Sequence, residues 1–133
     1  MTDCASIKID DKCCLKMSGF ERDLANGYTA TVEISSHGFS CVKQHFHFVE
    51  LNRICLSLQK ALEELQGVVT LADRYDRDEI RFRFGSLGHI RIEGELYEHS
   101  HLTQKLEFEF EADQTYLQEF ARDLNAVDRR LGT

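Results

Sequence analysis

Cys41, His45 and His47 are the residues whose types and spacing come nearest to a metal site. In an extended segment the three share one parity, and His45-x-His47 sets two imidazoles on one face, a spacing that suits zinc or nickel. His99-x-His101 repeats the pattern in a turn-like stretch. Structural zinc draws on paired Cys-x-x-Cys or Cys/His blocks, and none is present, so polar surface histidines are the expectation and no metal or other cofactor is assigned. Gly85-Ser86-Leu87-Gly88 is not a nucleophile elbow and falls where a hairpin turn is needed. The many glutamates do not form a glycosidase pair, because nothing in the sequence desolvates one carboxyl selectively. No catalytic residue is therefore assigned, and the chain is not expected to be an enzyme.

A different chemistry is carried by eight charged residues: Arg81, Arg83, Arg91, Glu93, Glu95, Lys105, Glu107 and Glu109. All stand at odd positions, while Ile80, Phe82, Phe84, Ile90, Ile92, Leu96, Leu106, Phe108 and Phe110 stand at even ones. This is the period of three half-buried strands, with one apolar face and one face of ordered charge. Such a face suits recognition of another protein, and these eight residues are the candidate partner-binding set.

The elements that must position them follow from the same patterning. After Asp113-Gln114-Thr115 the period becomes helical, with Tyr116, Leu117, Phe120, Ala121, Leu124, Val127 and Leu131 on one stripe. Asp113 reads as the N-cap of this helix, accepting from the N–H of Thr115 or Tyr116. A second helix is expected over 50–65, where Leu51, Ile54, Cys55, Leu58, Leu62 and Leu65 form a stripe and Gly67 a C-cap. Before it, Ile7 and Ile9 mark a first strand, Asp10-Asp11 a turn, and 13–17 a second strand ending near Gly19. Phe20 to Leu24 reads as irregular. Asn26-Gly27 turns the chain into a strand over 28–34, and Ser35-Ser36-His37-Gly38 into another over 39–49, with Val42, Phe46 and Phe48 alternating against Lys43, His45 and His47. A short strand over 68–72 precedes a charged turn over 73–79. The expected fold is α+β: an antiparallel β-sheet of about seven or eight strands in two runs, with two amphipathic helices packed on one face, as a single domain over 1–133.

Charge pairing ranks the possible strand registers. One register sets Arg83 opposite Glu93 and Arg81 opposite Glu95 around a Leu87-Gly88-His89 loop; its neighbour sets Arg83 against Arg91. For the next hairpin, Glu95 opposite Lys105 and Arg91 opposite Glu109, around His99-Ser100-His101, is preferred to Glu95 opposite Glu107 and Glu93 opposite Glu109. Each pair is worth only about 0.2–1 kcal/mol.

Sixteen Lys and Arg against twenty-three Asp and Glu leave a net charge of −7, which repels nucleic acid and anionic membranes and favours encounter with a basic protein. With 42% hydrophobic and 29% charged residues the chain is in the globular range. It opens on Met1-Thr2-Asp3-Cys4, without the basic and apolar regions of a signal peptide, and holds no run long enough to span a membrane, so a cytoplasmic location is expected. Five cysteines are an odd number at irregular spacings and are expected to be reduced.

The run Leu87-Gly88-His89-Ile90-Arg91-Ile92-Glu93-Gly94-Glu95-Leu96, followed by 106–117 with its Asp113-Gln114-Thr115-Tyr116-Leu117 helix start, resembles the C-terminal part of the WapI-like bacterial immunity proteins. The resemblance covers roughly the last third of the chain. It implies a non-enzymatic protein whose partner is a toxin domain, such as a nuclease, which it binds and blocks. The matching positions are turn, strand-core and cap residues, so the resemblance does not identify the toxin contacts. The alternative is a small binding module or oligomer subunit of another pathway. Metal binding or catalysis through His45 and His47 is a third reading.

Overall fold

The computed structural model describes residues 3–22, 27–75, 77–97 and 104–132. Eight strands and two helices follow in the order β1 Cys4–Lys8, β2 Cys14–Arg22, β3 Tyr28–Ser36, β4 Phe39–Phe48, α1 Leu51–Glu64, β5 Gly67–Ala72, β6 Glu79–Phe84, β7 His89–Tyr97, β8 Lys105–Asp113 and α2 Gln114–Leu131. The fold is α+β, and each run of strands makes its own antiparallel four-stranded sheet, in the order β1-β2-β3-β4 and β5-β6-β7-β8. Asn26 of the expected turn and the whole His99-Ser100-His101 loop lie outside the described residues.

The even positions of β6, β7 and β8 turn inward as their alternation requires, with Ile80, Phe82, Phe84, Ile90, Ile92, Leu96, Phe108 and Phe110 all buried. Leu117, Phe120, Ala121, Leu124 and Val127 of α2 are buried in the same core, where Phe82 and Phe120 place their rings 5.6 Å apart. Leu51, Cys55, Leu58 and Ala61 of α1, with the inward residues of the first sheet, complete one contiguous core. Asp113 caps α2, its Oδ1 accepting from Thr115 N–H at 2.9 Å and Tyr116 N–H at 3.4 Å. At the end of α1 the left-handed residue is Leu65 (φ 51°), whose N–H donates to Ala61 O at 2.7 Å; Gly67 already begins β5.

Two bulges reset the parity of the first sheet. Gly19, at φ 62°, is an extra residue in β2 that carries the strand past its expected end to Arg22 and turns Phe20 into the core. His45, at φ 59°, lies at the register shift in β4. On its N-terminal side the faces are exchanged relative to plain alternation: Val42 is 58% exposed and Lys43 is buried. Asp10 Oδ1 accepts from the N–H groups of Lys12 and Cys13 and closes the β1–β2 turn, and His37-Gly38, both at positive φ, make the two-residue β3–β4 turn.

Both preferred registers are overturned. In the β6–β7 hairpin Arg83 faces Arg91, Arg81 faces Glu93 and Glu79 faces Glu95; in β7–β8, Glu95 faces Glu107 and Glu93 faces Glu109. The turn residues are Ser86-Leu87-Gly88, with Leu87 at φ 64° and Gly88 at φ 79°. Backbone geometry outweighs charge here. Gly94 sits opposite Ile80 so closely to Glu79 that a Cβ would lie 2.0 Å from its carbonyl oxygen, a contact only glycine permits.

Candidate functional site

Strand alternation puts all eight expected charges on the solvent side of β6, β7 and β8, and adds Glu79 and Glu111, odd-numbered residues of the same strands. The rows across the sheet are Arg83, Arg91 and Glu111; then Arg81, Glu93 and Glu109; then Glu79, Glu95 and Glu107. Tyr97 faces Lys105 at the end.

Within this lattice the expected ion pairs form along diagonals. Arg83 Nε donates to Glu93 Oε1 at 2.7 Å, and Arg81 Nη1 reaches Glu95 Oε1 at 3.4 Å, although neither pair is directly opposite. Arg91 Nε stands 4.0 Å from Glu109 Oε2. Arginine is long enough to span a diagonal, so two neighbouring registers satisfy nearly the same charges. Lys105 turns instead to Glu107 on its own strand, at 2.8 Å.

Arg81 is the hub. Its guanidinium also donates to Glu79 Oε1 at 2.7 Å and Glu93 Oε2 at 3.3 Å, and the hydrogen bond to Glu79, with those to Glu95 and Glu93, makes it still harder to deprotonate. Desolvation works against ionisation of Glu93, but hydrogen bonds from Arg83 and Arg81 outweigh it and hold this carboxyl below the ordinary glutamate range. The hydrogen bond from Lys105 likewise lowers Glu107. The β6–β7 side of the face is thus a preorganised network, with Glu93 only 17% exposed at its side chain, whereas Glu107 and Glu109 on β8 are 68% and 64% exposed.

Beyond Lys105 and Tyr97 the face runs into an open groove of about 920 Å³ between β4 and the ends of β7 and β8. Phe39, Val42 and Tyr75, at 71%, 58% and 60% exposure, offer it apolar surface. Lys43, which lines the groove, is held from behind by a buried ion pair: Lys43 Nζ lies 3.1 Å from Asp78 Oδ2 and donates to Tyr97 O at 2.7 Å, while Tyr97 N–H donates to Asp78 Oδ1 at 2.6 Å. Burial pushes the Asp78 carboxyl up, against the lowering by Tyr97 N–H and Lys43. This seam was invisible to period-two reading, because the bulge at His45 carries no sequence mark and plain alternation turns Lys43 outward.

The metal reading gains no geometry. The His45 bulge breaks the parity that Cys41, His45 and His47 were expected to share, and His47 packs edge-on against Tyr75 at 4.9 Å. Among the described residues no group of three or more His, Cys, Asp or Glu side chains is placed to hold a metal ion. His99 and His101 lie outside the described residues. Among the described residues no helix is long and apolar enough to cross a membrane.

A family model described as the immunity protein WapI-like family matches residues 9–132. The match reaches far beyond the C-terminal third that carries the sequence resemblance and takes in β2 to β8 and both helices, with β1 before its start. No curated protein and no solved structure matches the chain.

Proposed function

The chain belongs to the WapI-like immunity protein family, and from that premise we propose that it binds a cognate toxin domain and neutralises it through the charged face of β6, β7 and β8, without chemistry of its own. The observation that carries this reading is the face itself. Six glutamates and four basic side chains are fixed by their strands in one lattice, open to solvent on the side away from the helices.

Preorganised charge of this kind lowers the entropy lost on docking and selects a partner by complementarity. The acidic excess, concentrated on the exposed carboxylates of β8, calls for a basic surface on the toxin, as a nuclease presents to its substrate. The groove beyond Tyr97 supplies what charge alone does not, since Phe39, Val42 and Tyr75 are apolar anchors at the edge of the same surface.

Co-expression tests the reading. The C-terminal domain encoded by the gene immediately upstream is expressed alone and with this chain. Arrested growth that the chain restores, and that alanine at Arg83, Arg91, Glu93 and Glu107 fails to restore, is the expected result. A harmless neighbour, or rescue undiminished by those replacements, refutes the assignment.

A further inference from the structure

Where the β1–β2 and β3–β4 turns meet β8, a thiol and an imidazole stand together. Cys13 Sγ lies 3.8 Å from His37 Nδ1, and His37 Nε2 lies 3.1 Å from the carbonyl oxygen of Glu109. A carbonyl oxygen only accepts, so the neutral ring must carry its proton on Nε2. That tautomer leaves the Nδ1 lone pair aimed at the thiol, the arrangement in which imidazole acts as base toward a sulfur nucleophile.

Both partners are held in place. Cys13 N–H donates to Asp10 Oδ1 at 2.9 Å and Cys13 O accepts from Ile9 N–H at 3.0 Å, while His37 sits in a tight turn at φ 52°. Cys13 is 7% exposed, yet it borders an open groove of about 1060 Å³ between the first sheet and β8. Among the described residues no other thiol has an imidazole within hydrogen-bond reach. Burial pushes those of Cys14 and Cys41 up, and that of Cys55 up to about 12.

We propose that Cys13 is a nucleophilic thiol, activated by His37, that takes low-molecular-weight disulfides. The thiol proton passes to His37 Nδ1. The thiolate attacks one sulfur of R–S–S–R, so that a Cys13–S–S–R bond forms as the original bond breaks, and the departing thiolate takes the proton from the imidazolium. Cys13 is oxidised and half of the reagent leaves as a reduced thiol.

The test uses the whole protein, reduced, with excess 2-hydroxyethyl disulfide at neutral pH, acid quenching, and mass mapping of all five cysteines. Cys13 is expected to react at least about tenfold faster than Cys14. His37→Asn, which retains a residue tolerant of the left-handed turn, should slow Cys13 by about tenfold and leave Cys4 unchanged. Cys13 reacting no faster than Cys14 in the unaltered protein, or at an unchanged rate in His37→Asn, overturns the proposal. The ranking within the unaltered protein decides the matter even if the variant does not fold. No toxin enters the assay, so its outcome is independent of the immunity reading.

Discussion

Replacing Asp78 by alanine strips the buried carboxylate that faces Lys43, and two consequences add. The Lys43 ammonium, 10% exposed at its side chain, loses a counter-charge 3.1 Å away, and the Tyr97 N–H loses its acceptor at 2.6 Å. Removing one partner of a buried pair costs roughly 3–5 kcal/mol, because the remaining charge stays desolvated. Lys43 keeps its hydrogen bond to Tyr97 O, which places Asp78→Ala at the lower end, about 3 kcal/mol. Urea unfolding of Asp78→Ala, Lys43→Met and the double variant Lys43→Met/Asp78→Asn measures the coupling. The double variant should be more stable than Asp78→Ala, since it leaves no orphaned charge and asparagine can still accept from Tyr97 N–H. The pH dependence has a defined sign. A carboxyl raised by burial binds its proton more readily folded than unfolded, so the stability gained by protonating it is full below the ordinary aspartate range and is lost as pH rises through the raised value, above which the ionised carboxyl holds Lys43. A loss below about 1 kcal/mol in Asp78→Ala would show that the pair is solvated rather than buried, since such a value belongs to a solvated pair.

Three further perturbations bear on the face and its supports. Glu93→Gln should lower the thermal midpoint above the ordinary glutamate range and converge on the unaltered protein in acid, because a depressed carboxyl contributes stability that is lost as pH falls through its folded value. Parallel melting curves at every pH would contradict this. Gly94→Ala drives a Cβ against the Glu79 carbonyl and should cost at least the roughly 1–3 kcal/mol of an overpacked site, visible as a lowered urea midpoint. Asp113→Ala removes the acceptor for Thr115 and Tyr116 N–H and should cost about 1 kcal/mol while leaving growth rescue intact.

The second sheet was legible because its alternation is unbroken. Ile80 to Phe84, Ile90 to Leu96 and Leu106 to Phe110 hold one parity throughout, and the charged face follows from it. Glu79 and Glu111 were reachable by the same rule; assigning 73–79 to a turn hid Glu79, which in fact opens β6. Register was not legible. Adjacent even-parity registers bury the same side chains, and the long arginines satisfy the same glutamates directly or diagonally, so the choice fell to Leu87 and Gly88 in the turn and to the close approach of Gly94. In β4 a non-glycine residue, His45, takes the left-handed conformation at the bulge, and from that point the parity inverts. Lys43 and Asp78, far apart in sequence, gave no separate signal of their meeting.

The claim that β6, β7 and β8 form the toxin-binding face is tested most directly by titrating purified toxin domain with the unaltered protein and with Glu107→Lys/Glu109→Lys. Both positions are more than half exposed at the side chain, so folding is expected to survive, and an unchanged unfolding midpoint verifies it. The expected result is a Kd weakened by at least about tenfold, equivalent to about 1.4 kcal/mol, and more so at low salt. Affinity equal to that of the unaltered protein, with folding intact, would place the toxin elsewhere on the molecule.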